Sequence, residues 1–466
     1  MATPSPSPSP SPSPTSPTVT DRPAIARPSA RTSAAPTVRL AWAATAGWVV
    51  CALALVAYAA GPAIGRSSVF GLAVACGAVA LSVPVFGRIG HRFPDLEMAG
   101  IMRLALGAKL LATLPRFEAR EDSVDYYRVG ASLANSFRRL DFTVDTGRSI
   151  PGTGSVRYLT GLVEVVTLED EFATFVVFSL FGFVGSILFV MAFREALPTF
   201  DTRRYALLLL FWPSLVYWPS SIGKESVILL GLGTVAYGGA KLLRGDLHGL
   251  LITTIGMLAV ALVRPHVALI AMTALVAAVI VGAPGRGAMR TVARVALIAA
   301  LVVGGSVASD AVEALSDIDG LNPTGIEAAL DLVNTRSSQG GSHFEAARVD
   351  GIVEYPWGFV TVLFRPFPHE ASNAAMLLTS FEALVLAALM VAAVPRLAAA
   401  VRSLRSEPFV AYAVTFTVVF VYLFSALGNF GILARQRAMT IPLVLLVVAL
   451  PTAKERVRQR RLGIGS

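Results

Sequence analysis

The residues most able to do chemistry in this chain stand in short clusters between apolar stretches. Glu121-Asp122-Ser123-Val124-Asp125-Tyr126-Tyr127 places Asp122 and Tyr126 four apart, on one face of a helix, with Asp125 one turn from Asp122. A carboxylate at the mouth of a membrane cavity acts as a general base or holds a metal through oxygen ligands. An acidic helix start with Asp122 as N-cap accounts for the same spacing. Lys224-Glu225 heads an apolar stretch, where a cation beside the positive end of a helix dipole suits phosphate; alternatively the two charges pair and end the span. Arg264-Pro265-His266 interrupts another apolar run, and Arg435 and Arg437 precede the last one. Guanidinium groups keep their charge and grip phosphate in a fixed fork, unless Asp or Glu from the loops takes them up. His266 and His369 offer acid–base chemistry or plain hydrogen bonds, and with no Cys or His cluster zinc is not expected.

The elements that must position these groups are apolar. Of 466 residues 55% are hydrophobic and only 15% charged, and the mean hydropathy of +0.66 lies outside the range of soluble chains. The fold class expected is all-α, a polytopic integral membrane protein of about 11–12 transmembrane helices. Candidate spans lie near 40–60, 67–87, 99–114, 172–193, 204–221, 225–243, 248–263, 266–283, 291–309, 374–394, 409–428 and 431–450. The 99–114 stretch is the weakest, because it contains Arg103 and Lys109. Residues 1–38 read as a disordered Ser/Pro-rich cytoplasmic tail, 39–452 as the membrane domain, and 453–466 as a basic cytoplasmic tail. Leu40 to Ala60 reads as a retained span, since no cleavage signal follows it. Cys51 and Cys76 read as buried small hydrophobes.

Numbering the spans by alternation puts both termini in the cytoplasm of a multi-pass cell-membrane protein. The inner face then receives Arg27, Arg31 and Arg39; Arg88 and Arg92; Arg194, Arg203 and Arg204; Lys241 and Arg244; Arg286, Arg290 and Arg294; Arg396, Arg402 and Arg405; and Lys454, Arg456, Arg458, Arg460 and Arg461. This is the bias that orients membrane proteins, so the net charge of +9 reads as topology and no nucleic-acid partner is expected. The run from Leu250 to Gly282, flanked by like charge, folds as a hairpin broken at Arg264 to His266 with its tip outside. Two outer loops, about 115–171 and 310–371, and all the mixed polar clusters fall on the opposite face, which marks a site. Trp212 and Trp218 have the density of an interface belt. The segment from Ser337 to Ser342 in the second loop reads as a lid or as a plain connection.

Asp122-Ser123-x-x-Tyr126, then Arg157-Tyr158-Leu159-Thr160-Gly161-Leu162 running into a Phe-rich span, then Trp212-Pro213-Ser214-Leu215 to Lys224-Glu225, resembles the GT-C superfamily of polytopic membrane glycosyltransferases. The likeness covers the larger, N-terminal part of the chain. It implies a sugar donor linked to a polyprenyl phosphate or pyrophosphate, used at the outer face, and an acidic residue of the first outer loop as catalytic base. The matching position is Asp122; Glu121-Asp122-Ser123 departs from the commoner Gly-Asp-Ala, and Asp125 stays a rival for the role. Arg365-Pro366-Phe367-Pro368-His369-Glu370, with Gly428-Asn429-Phe430-Gly431 leading to Arg435-Gln436-Arg437, is similar to bacterial envelope-polysaccharide polymerases of the O-antigen type, which depend on outer arginines.

The expectation is a membrane glycosyltransferase with Asp122 or Asp125 as base and Lys224, Arg264, Arg435 and Arg437 on the donor phosphate. Tyr126, Glu225, His266, Arg365, His369 and Asn429 complete the candidate substrate-binding set. The acceptor is a growing envelope glycan or a lipid-linked saccharide, and the bilayer is the other partner. No cofactor is implied with certainty, and a divalent metal is compatible with the carboxylates. A lipid-linked saccharide flippase is the third reading; it is disfavoured because Glu382 is the one midspan charge and no internal repeat is evident.

Overall fold

A computed structural model describes residues 68–90, 93, 97–119, 122–282, 335, 342–452 and 455. The N-terminal tail, the expected spans at 40–60 and 291–309, residues 310–334 and 336–341 of the second loop (the latter carrying Ser337 to Gly341 of the expected lid or connection), Glu121, Cys51 and all of the basic C-terminal tail but Glu455 lie outside them. The chain is an all-α polytopic membrane protein, with no strand among the described residues. Among the described residues five helices are long and apolar enough to cross a bilayer: α1 (Ser68–Gly90), α2 (Met98–Ala119), α5 (Glu171–Ala196), α8 (Lys224–Leu243) and α12 (Ala374–Ala392). Counting as one span each the bent pairs α13 (Val394–Ser403) with α14 (Pro408–Phe424) and α15 (Phe430–Arg437) with α16 (Ile441–Ala449) brings the number to seven. Between α2 and α5 stand α3 (Ser123–Arg138) and α4 (Thr153–Thr167).

The proline signals act where they stand. The run beginning at Leu250 splits into α9 (His248–Val263) and α10 (Pro265–Val281), with Arg264 extended between them and Pro265 opening the second helix. The stretch 204–221, expected as one span, is instead two short helices, α6 (Thr202–Leu210) and α7 (Pro213–Tyr217), because Trp212 before Pro213 leaves helical geometry. Lys109 on α2 is buried at 3% exposure and donates to Leu215 O (2.9 Å) and Val216 O (3.2 Å) in α7. The break thus supplies the acceptors that let a lysine sit inside α2.

Helix contacts are closest where glycines meet. A Cβ on Gly233 of α8 would stand 2.2 Å from Gly185 O of α5, and one on Gly185 would stand 2.3 Å from Leu229 O. Without a hydrophobic force between helices in lipid, such small-residue approaches carry the association. Gly233→Leu is expected to separate α5 from α8 and to cost about 1–3 kcal/mol. An unchanged apparent melting temperature of the full chain in lipid nanodiscs would refute it.

The last part of the second loop is docked. His343 bridges Asn429, the Phe344 ring stacks on Phe430 at 4.2 Å, and α11 (Tyr355–Phe364) is anchored by Tyr355 OH donating to Val418 O of α14 at 3.1 Å.

Candidate functional site

Four elements far apart in the chain bring charged groups to one place. Asp122 precedes α3 but makes no capping bond; its Oδ2 accepts from Arg435 Nη2 on α15 at 2.9 Å. Arg435 Nε also lies 3.5 Å from Glu225 Oε1 at the head of α8, and Arg264 Nη2, between α9 and α10, reaches the same oxygen at 3.5 Å. One carboxylate oxygen thus separates two guanidinium groups. Side-chain exposure rises from 10% at Glu225 and 12% at Arg264, through 27% at Arg435, to 62% at Asp122. The cations are set deep and one carboxylate stands at the mouth. Lys224 is half-buried and within electrostatic reach of Asp122, Arg264 and Arg435. Tyr126 is buried beneath; burial first, then the charges of Glu225 and Asp122, push its hydroxyl up to about 12 and keep it a neutral hydrogen-bonding group.

Glu225, Arg264 and Arg435 line a narrow cleft together with Pro219, Ile228, Leu229, Ala438 and Met439; its free space, about 10 Å³, is that of a single water. Two guanidinium groups beside apolar side chains are the chemistry that recognises an amphipathic anion. His266 is exposed beside it, its ring 6.0 Å from that of Phe424.

The remaining predicted residues are engaged elsewhere. Asp125 is held by Arg157 on α4 through bonds of 2.8, 3.0 and 3.1 Å, and Arg157 also donates to Thr146 O at 2.8 Å. The two rival carboxylates are therefore distinguished: Asp122 meets the cation cluster, Asp125 ties α3 to α4. Arg365 pairs with Glu370 and lies over the Phe344 and Phe430 rings at 4.4 and 5.1 Å. Arg437, 1% exposed, donates to Leu363 O (2.6 Å) and Arg365 O (3.1 Å). Asn429 Oδ1 accepts from Ile432 N at 3.1 Å and caps α15, while His369 stacks on Phe367 at 5.8 Å. Arg365, Arg437 and Asn429 hold residues 342–371 against α15, while the contact of His369 stays within that segment. Arg435 and Arg437 are two apart on a helix and so leave it about 200° apart.

Sequence reasoning missed Arg116. It is buried at the end of α2, donates from Nη2 to Ser221 Oγ at 3.1 Å, and lies 5.3 Å from the Trp218 ring, which Arg435 approaches to 5.8 Å. The signal was there: a cation at the end of a span that alternation expects outside, against the orientation bias. Trp212 is buried and gives its indole N–H to Glu382 of α12, so it is more than a belt residue and Glu382 has a partner.

Glu164 on α4 is fully buried and neither carboxyl oxygen has a hydrogen-bond partner. Burial, then Glu169 and Glu171, push it up to about 8, so the folded chain keeps a proton that an unfolded chain, at the ordinary 4.5, has released. Its contribution is whole below pH 4.5 and is lost as pH climbs to about 8, by about 1.4 kcal/mol per unit. Glu164→Gln is expected to flatten the pH dependence of the apparent melting temperature across that window; an identical slope in the variant would count against it.

Among the described residues no three His, Cys, Asp or Glu side chains come together to hold a metal ion. No protein-family model matches the chain, and neither a curated protein nor a solved structure matches it.

Proposed function

We propose that the cleft is the active site of a membrane glycosyltransferase that takes its sugar from a polyprenyl phosphate or pyrophosphate. The observation that carries this reading is Asp122 at 2.9 Å from Arg435, which with Arg264 lines a small cleft among apolar side chains. The donor phosphate lies on Arg264 and Arg435 with Lys224 near, and the first isoprenoid units lie along Ile228, Leu229 and Met439. Asp122, the exposed carboxylate, takes the proton of the acceptor hydroxyl. The acceptor oxygen bonds to the anomeric carbon as that carbon's bond to the phosphate oxygen breaks, and the phosphate leaves with the electron pair, held by the guanidinium groups. Direct displacement inverts the anomeric centre. The acceptor is an envelope glycan or a lipid-linked saccharide, and the cleft opens at the outer face of the cell membrane with both termini cytoplasmic. Of the three arginines on which a polymerase reading leans, Arg365 and Arg437 are engaged in packing and Arg435 alone reaches the cleft, which supports transfer.

The test uses the full chain in vesicles loaded with polyprenyl-phosphate or polyprenyl-pyrophosphate sugars, with a short envelope glycan as acceptor. Release of the sugar from one of the two lipids is expected. Movement of the intact lipid-linked sugar across the bilayer without cleavage would replace the reading with a flippase, and inertness toward both would end it.

A further inference from the structure

Helices α3 and α4 are both amphipathic and face opposite ways. The first is arranged as for water: Asp125, Arg128, Ser132 and Asn135 are exposed, while Tyr126, Leu133, Ala134 and Phe137 are buried. The second is inside out. Its only charged residues, Arg157 and Glu164, are turned inward at 8% and 0% exposure, with Thr160 between them at 0%. Its outward face carries Leu162 and Val166, the latter 75% exposed, with Leu159 and Val165 half-buried beside them.

In water this arrangement costs twice, since apolar area is exposed and a carboxyl is buried without a partner. Against hydrocarbon the first cost vanishes, and the second is smaller than that of turning Arg157 and Glu164 into lipid instead. The neighbouring helix identifies the occupant. Gly152 N, at the head of α4, donates to Leu262 O at the end of α9 at 2.9 Å. α9 packs along the span α8, and its exposed residues are His248 at its start, then Leu251, Thr254, Ile255, Leu258 and Leu262, the four apolar ones a single stripe at helical spacing. The exposed apolar stripe of α9 therefore runs on into α4. With 15 residues, α4 is about 22 Å long and cannot cross a hydrocarbon core of about 30 Å.

We propose that α4 rests in the leaflet nearest the site, with Leu162, Val165 and Val166 against acyl chains, while α3 beside it faces water. The Arg157–Asp125 pair then joins a lipid-bound helix to a water-facing one, and Asp122 stands at the boundary where a lipid-linked head group arrives. The placement of α4 does not depend on the glycosyl-transfer reading and is measured without substrate.

Nitroxide labels at Leu162→Cys, Val166→Cys and Ser132→Cys, in the full chain with Cys51 and Cys76 replaced by Ser and reconstituted in nanodiscs, decide it. The ratio of oxygen to water-soluble nickel-chelate accessibility is expected to be several-fold higher at 162 and 166 than at 132. Equal ratios would overturn the proposal, as would exclusion of both reagents from 162 and 166, which would mean a protein partner covers the helix. Should the cysteine-free chain fail to fold, a membrane-restricted photoactivatable lipid applied to the unaltered chain gives the same answer: label on peptides from 153–167 and not 123–138 supports it, and the reverse refutes it.

Discussion

Asp122→Asn is expected to lower the rate of sugar transfer by about 10²–10⁴-fold, the ordinary contribution of a positioned general base. Binding of the anionic lipid should be kept or strengthened, because the substitution removes the carboxylate that Arg435 holds at 2.9 Å and leaves the guanidinium to the phosphate. The loss therefore falls on kcat, with KM for the donor unchanged or lower. Asp125→Asn makes the contrast. It breaks the pair that joins α3 to α4, so its effect belongs to stability and to both kinetic constants together. Equal losses of kcat in the two variants, with equal stability, would mean that Asp122 is not the base.

Glu225→Gln is the second large effect, and it acts first on the fold. Arg264 and Arg435 approach one carboxylate oxygen, each at 3.5 Å, and Arg264 is only 12% exposed. Neutralising the carboxylate leaves two like charges facing each other in a poorly hydrated place. Breaking a buried ion pair from one side costs about 3–5 kcal/mol. An apparent melting temperature well below that of the native chain is expected, partly restored by millimolar inorganic pyrophosphate, since an anion placed between the two guanidinium groups replaces the missing charge. A variant as stable as the native chain, or one indifferent to pyrophosphate, would show that the two arginines do not form an anion site.

The membrane class was readable from composition, because crossing a bilayer demands long apolar helices whatever their neighbours. The break at Arg264 was readable from Pro265, since a proline acts locally. The break in 204–221 was overlooked although Pro213 marks it, because hydropathy averages over the very residue that ends a helix. The inside-out sense of α4 was not readable at all. An amphipathic helix tells that it has two faces and says nothing of which one meets the protein.

The site divides in the same way. Span order and charge bias already required Asp122, Lys224, Glu225, Arg264 and Arg435 to share one end of the bundle. The tertiary structure decided which of them meet. It separated Asp122 from Asp125 by giving the latter to Arg157, turned Arg437 into the backbone of the 342–371 segment while Arg435 reached the cleft, and drew in Arg116 beside Trp218. The physical reason is one of range. Transfer into a bilayer and the pull of charge toward one side act on each segment by itself and can be summed along a sequence. A guanidinium group finds its partner only within a few ångströms, and at that distance helix rotation and the packing of remote segments decide.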